Sequence, residues 1–257
     1  MIISDAHRLT FVHIPKCAGV SVKQPLRAID STGGYFSRIG DHPVLGRVHF
    51  AHLTLRDLAD HFPDEWVKLR TYRAFAVVRD PGERFISAMF QRLREFKGLN
   101  QSDITPARIE AEADEVIRYL ERTPDRLDLE HVHFNRQTDY LDLDGVRLVD
   151  DLFAIEDMAR LVAYVAAHTG IAVEEERQNR STELRSGRMK PLVRALKTPY
   201  FALVPYPVRN ALRARMERAG LYGAVAKQQM IVPGGRLAGF ISVYYADDLR
   251  LHAAARA

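Results

Sequence analysis

One cysteine, Cys17, stands in 257 residues. An internal disulfide is thereby excluded, and so is a cysteine-built metal cluster. So few thiols fit a reducing compartment, and a cytoplasmic location is the expectation. Long hydrophobic runs are missing as well. No stretch reaches the length that a bilayer-spanning helix needs, and the opening MIISDAHRLTF does not read as a signal peptide. A Walker-type GxxxxGK[ST] loop, an HExxH pair and a GxSxG elbow are all absent. Acidic residues vanish from Leu184 to Met216 while arginines and lysines continue. There is no internal repeat and no low-complexity segment.

What is present is ordinary in amount. Hydrophobic residues make up 47% and charged residues 27%, enough for a sizeable core in one large domain or two small ones. The net charge of +4 suits a phosphorylated or polyanionic ligand and is too small to imply nucleic-acid binding.

The stretch Leu9 to Ser21, LTFVHIPKCAGVS, is the first informative one. An apolar run from Phe11 to Ile14 ends at Pro15, followed by Lys16, a small-residue turn and Ser21. Such a turn converges backbone N–H groups at a helix start, where an anion is favoured, and Lys16 adds a full charge. Taken alone, the stretch reads equally well as a strand-to-helix turn with a surface lysine.

A second unit has the same plan. Tyr72 to Val78 predicts a strand. Asp80 then caps a helix, with Pro81 at its first position and Glu83 at its third. Ile86, Met89, Phe90 and Leu93 form the buried stripe, while Arg84, Ser87 and Gln91 share another face. In an open parallel sheet, ligands lie beyond the carboxyl ends of the strands, so both loops can face one ligand. Arg79 and Ser87 suit a phosphate, the guanidinium as a fork and the hydroxyl as a donor. Arg84 is a possible helper or a surface ion-pair partner for Glu83 or another acid.

The remaining elements alternate. A helix is expected over Val20 to Ile29 with Pro25 early or bending it, and a loop from Ser31 to Gly46. Arg47 to His52 reads as a short strand, and Thr54 to Asp57 as a capping box opening a helix to about His61. A helix over Ile109 to Leu120 precedes a polar loop, His131 to Tyr140. Arg147 to Ile155 predicts a strand, and Glu156 to Thr169 a helix stopped by Gly170. Val208 to Ala219 forms an amphipathic pattern, and a short segment plus a closing helix occupy Arg236 to Ala257. This alternation indicates α/β architecture with a mainly parallel sheet.

FVHIPKCAGVS resembles the phosphosulfate loop of sulfotransferases that use PAPS (3′-phosphoadenosine 5′-phosphosulfate), and VVRDPGERFISAM resembles their 3′-phosphate motif, an arginine followed eight residues later by a serine. HLTLRDL at 52–58, FNRQTDYL at 134–141, FAIEDM at 153–158, NRS at 179–181 and VYYADDLRLH at 243–252 are similar in order and kind to the carbohydrate branch, which includes heparan sulfate 2-O-sulfotransferases. The resemblance implies a P-loop-like three-layer fold in a single domain over 1–257, with a basic helical insertion or lid at about 185–235. It implies donor contacts from Lys16, Ala18, Gly19, Val20, Ser21, Arg79, Ser87, Arg84 and Asn179. The family usually carries threonine where Cys17 and Val20 stand, so one hydroxyl contact is missing at Val20.

The expected reaction is in-line transfer of a sulfuryl group to an acceptor hydroxyl, on a glycan or glycolipid, with no metal required. Lys16 neutralises developing charge, and His52 is the candidate general base with His49 as runner-up. The two histidines are spaced so that only one is expected to serve. A metal site at His49/His52 and His131/His133 lacks a supporting motif. The basic stretch from Arg185 to Arg218 reads as an acceptor-binding lid or a solvated insertion, and a shallow membrane contact is compatible with it. Two other readings stay open: a nucleotide-dependent kinase, and a non-catalytic nucleotide-binding homologue.

Overall fold

Three parallel strands carry the chain's apolar runs to one edge. A computed structural model describes residues 1–99, 104–122, 126–171, 182–184, 222–224 and 230–257. The sheet is ordered β1 (Ile2–Ser4), β2 (Leu9–Val12), β5 (Arg73–Val78), β8 (Asp151–Ala154). β1 pairs antiparallel with β2; β2–β5 and β5–β8 are parallel, with Phe11 opposite Phe75 and Val78 opposite Ala154. Every residue of β1 and β2 is buried, and so is all of β5 after Arg73. Continuous burial is what a sheet covered on both faces demands of its inner strands. Phe11, Phe75, Phe153 and Tyr164 stack through the core, with ring centroids 5.0–6.3 Å apart along the chain of contacts.

Parallel pairing fixes where the loops go. Because β2 and β5 run side by side, the segments after Val12 and after Val78 leave at the same sheet edge. The first leads to α1 (Gly19–Leu26), the second to α4 (Pro81–Glu95). In α4 the Asp80 carboxylate accepts from Glu83 N–H, and Ile86, Met89, Phe90 and Leu93 are buried as the spacing predicts. Pro25 sits in the last turn of α1, and the chain continues as a 3₁₀ turn at Arg27–Ile29.

Three corrections concern secondary structure, the first being that the short strand expected from Arg47 to His52 ends at His49, with Phe50–His52 a 3₁₀ turn. The expected loop Ser31 to Gly46 contains a strand, β3 (Ile39–His42), pairing antiparallel with β4 (Gly46–His49). The expected strand Arg147 to Ile155 is split into β7 (Val146–Arg147), hairpinned with β6 (Asp142–Leu143), and β8. The capping box at Thr54 is present: its hydroxyl accepts from Asp57 N–H and the Asp57 carboxylate accepts from Thr54 N–H, opening α2 (Leu55–His61). α3 (Pro63–Thr71), α5 (Pro106–Glu121) and α6 (Met158–Thr169) follow, the last ended by Gly170 at φ 70°. α7 (Arg236–Tyr244) and α8 (Ala246–Ala255) close the described chain.

The chain divides into two compact units, one made of Met1–Gln178 with Lys227–Ala257, the other of Asn179–Ala226. Within the second, β9 (Thr182–Leu184) pairs antiparallel with β10 (Tyr222–Ala224). Asn179 and the pattern at Val208 to Ala219 lie outside the described residues. No helix of the described residues is long and apolar enough to cross a membrane.

A buried ion pair ties α8 to α4. Asp248, fully buried, accepts N–H bonds from Gln137 at 2.8 Å and Thr138 at 3.1 Å, and faces the buried Arg84 guanidinium at 3.8 Å. Removing one partner of such a pair leaves an uncompensated buried charge. Asp248→Ala is expected to destabilise the protein by about 3–5 kcal/mol, read as a fall in the midpoint of urea unfolding.

Candidate functional site

The loop after β2 is strained in a useful way. Lys16 (φ 67°) and Ala18 (φ 56°) both adopt left-handed backbone conformations without being glycine. Such residues build concavities of converging N–H groups, and their strain persists only where the surroundings enforce it. Ala18 is the N-cap of α1 and offers no side-chain cap, and no acidic residue occupies the first turn. Gly19, Val20 and Ser21 form that turn, so the helix start is open to an anion.

Gly19 is required by a neighbour. A Cβ there would lie 1.7 Å from His13 Nε2, inside the ring's own volume. The loop backbone and the imidazole therefore pack directly against each other.

Arg79 follows β5, and its side chain reaches the same loop. Its Nη1 donates to the Lys16 carbonyl at 3.4 Å, while Nε and Nη2 donate to Glu83 Oε2 at 3.2 and 2.7 Å. Ser87, two turns into α4, is buried. Gln137 then fastens the two loops: its Oε1 accepts from Arg79 N–H at 2.9 Å and from the Cys17 thiol at 3.3 Å, and its Nε2 donates to the Arg79 carbonyl at 2.8 Å. Cys17 is thus a packed hydrogen-bond donor. Burial pushes its thiol up to about 12, so it is no nucleophile at neutral pH.

The candidate bases stand in a group. His52 is buried, with ring centroids of His49 at 4.1 Å, His133 at 4.9 Å and His13 at 5.0 Å. The expectation that His49 and His52 diverge is corrected. They are joined by a 3₁₀ turn, Phe50–His52, which wraps the three-residue spacing back on itself. His131, by contrast, stacks on Tyr119 at 3.8 Å and bonds to Asp128.

Burial dominates the protonation of the group. It holds His52 and His13 well below the ordinary imidazole value, and brings His49 to about 4 and His133 to about 3. All four are neutral at pH 7 and can accept a proton without first losing one. His49 Nδ1 accepts from Ala51 N–H at 3.2 Å, which leaves its proton on Nε2. Among the described residues His52 Nδ1 has no hydrogen-bond partner. Its backbone carbonyl accepts from Tyr140 Oη, which in turn accepts from Asn135 Nδ2. The Lys16 charge also lowers the His133 pKa, so the base group and the loop lysine share one electrostatic field. A cleft of about 290 Å³ opens on His49 and His52 and is bounded by Asp57, Arg126, Asp128 and Asn135.

The family model described as "Sulfotransferase family" matches residues 1–218. The chain belongs to the sulfotransferase family. Its general chemistry is therefore sulfuryl transfer. Comparison with curated proteins and with solved structures returns no match.

In this sulfotransferase Arg84 is not the surface ion-pair partner that sequence offered as one reading. Its side chain is 1% exposed and donates to the carbonyls of His133 and Asn135, with Asp248 behind it. The acid Glu83 engages Arg79 instead. His13 and Gln137 went unnoticed in the sequence, and His133 was weighed there only as a metal ligand beside His131. A histidine beside a loop glycine is a weak signal, and a glutamine inside a polar stretch is none.

Two outcomes follow. Gly19→Ala must drive the His13 ring aside, and is expected to destabilise the fold by about 1–3 kcal/mol, read as a fall in the midpoint of urea unfolding. Acid should destabilise the fold through His133. Its unfolded imidazole titrates near 6.5 and its native one near 3, so the unfolded chain takes up the proton first. The stabilisation is full above the unfolded value and falls by roughly 2 kcal/mol at about pH 5. Urea midpoints compared at neutral and acid pH measure it.

Proposed function

We propose that this protein transfers the sulfuryl group of PAPS to a hydroxyl of a carbohydrate acceptor, the nucleotide lying along the shared edge of β2 and β5. The observation that carries this reading is the direct joining of the Lys16 loop to Arg79, which brings two cationic anion-binding loops to one place. A ligand phosphorylated at two positions is the simplest occupant. The open α1 terminus, formed by residues 18–21, suits the 5′ side. Arg79 and Ser87 suit the 3′-phosphate, with the phosphate replacing the Glu83 carboxylate on the guanidinium. When bound, PAPS supplies an activated sulfuryl group and an anionic leaving phosphate.

The residues of the chain do the rest. Lys16 presents its ammonium where negative charge grows. His52, neutral and buried, takes the acceptor's proton, and the adjoining imidazoles of His49, His13 and His133 share its field. A tertiary P-loop-like resemblance fits the strand order β1-β2-β5-β8 and the loop after β2. The cleft beside His49 and His52 is the acceptor's place, its size suiting about one sugar ring at the reacting position.

Lys16 carries the pH dependence. Burial lowers its ammonium to about 8, with Arg94 the next cause in the same direction. As pH rises through that value the charge is lost, so kcat/KM should fall on the alkaline side and not between about pH 6 and 7.5. Adenosine 3′,5′-bisphosphate is expected to bind in preference to ATP by calorimetry, and labelled PAPS to be turned over in the presence of chelator. Lys16→Ala and His52→Ala should each lower transfer by about 10²-fold or more. Failure to bind the bisphosphate overturns the reading. Binding without turnover across a glycan panel makes the protein a nucleotide-binding homologue.

A further inference from the structure

Lys16 does not point its ammonium into open solvent. Its Nζ donates to Gln91 Oε1 at 2.6 Å, although the two residues lie 75 positions apart. Gln91 is in the third turn of α4, one turn beyond Ser87. Its amide is itself held, Nε2 donating to Glu95 Oε2 at 3.1 Å. A carboxamide has one donor end and one accepting end, whereas an ionised carboxylate only accepts. Glu95 therefore selects the NH₂ end of Gln91, and the oxygen is left to face Lys16. Rotated by half a turn, the same amide would set its NH₂ against an ammonium and repel it.

We propose that Gln91, oriented by Glu95, is the positioning residue that holds the Lys16 side chain against α4 and keeps it an ammonium donor ready for charge developing at the loop. The proposal rests on the reading of Lys16 as the group that meets that charge. Lys16 is an unusual lysine in needing such help. It is surrounded by Arg94 and Glu95 from α4, Arg79 from the end of β5, Cys17 of its own loop and His133 across from it, and burial opposes its charge. Two of these neighbours, Arg94 and Arg79, are cations that also oppose it. The Gln91 oxygen is a neutral side-chain acceptor bonded to its ammonium. Sequence spacing already set Gln91 on the face of α4 that carries Ser87, and the fold turns that face to the loop.

Three variants test this. Gln91→Met keeps the length and removes the acceptor. Gln91→Glu replaces it with a carboxylate, and Glu95→Gln frees the amide at an exposed position where folding is not at stake. The ionisation of Lys16 is read directly by competitive acetic anhydride labelling across a pH series with mass spectrometry, which needs no catalysis. The Lys16 titration is expected to move to lower pH by about half a unit or more in Gln91→Met and to higher pH in Gln91→Glu, with Glu95→Gln shifted in the direction of Gln91→Met. The alkaline limb of kcat should follow, and kcat at neutral pH should fall about tenfold in Gln91→Met while the affinity for adenosine 3′,5′-bisphosphate stays within about threefold. Titrations of Gln91→Met and Gln91→Glu that superimpose on the wild type, or that move the same way, overturn the proposal. That result is legible even if the wild type transfers nothing, whereas loss of bisphosphate binding by the wild type overturns the proposed function and not this one.

Discussion

The Gln137 carboxamide lies between two loops and ties them together beyond the ends of their strands. Each loop ends a strand, and at a strand's end the ladder of backbone hydrogen bonds runs out. Gln137 continues it with a side chain, pairing with both the N–H and the carbonyl of Arg79 as a neighbouring strand residue would. The same oxygen receives the Cys17 thiol, so the Lys16 loop is tied to the same amide. Buried backbone groups left unpaired cost about 1–3 kcal/mol each. The backbone N–H of Gln137 bonds to Asp248, which faces Arg84, so the same residue is also linked to α8 and α4. Ion pair, hydrogen bonds and loop strain form one connected network in which each member compensates another.

Burial has a chemical consequence across the cleft. Loss of water around the buried rings of His13, His49, His52 and His133 opposes their charged forms, so the group is held neutral at pH 7. Lys16 is pulled the same way by burial, yet at about 8 it is still an ammonium at neutral pH. The chain therefore holds neutral imidazoles and a charged lysine in one electrostatic field. One environment produces both states because imidazole and amine begin from ordinary values about four units apart.

Much of the fold was legible from local patterns. The Asp80 cap, Pro81, the buried stripe of α4, the Thr54 capping box and the Gly170 stop each depend on residues within one or two turns of one another, so their sequence order carries the information. β3 was missed because its exposed, glycine- and histidine-bearing residues have no apolar alternation; its pairing with β4 is decided by backbone bonds. The strand expected from Arg147 to Ile155 was too long because an apolar run does not reveal where a hairpin hands over to a sheet. Arg84 was misread for a similar reason. An arginine on a helix face is usually solvated, and only the packing of α8 and the 133–135 turn buries this one.

By itself the amino-acid sequence determined the two strand–loop–helix units, their lysine, arginine and serine, and the parallel order that sends both to one edge, because those features are written within short stretches of chain. Only the tertiary structure decided which residues complete them. His133 beside His52, Gln137 between the loops and Gln91 on Lys16 are all contacts between distant segments. Such contacts exist only once the strands have paired and the helices have packed, since a polar side chain carries no mark of the partner that burial will require it to find.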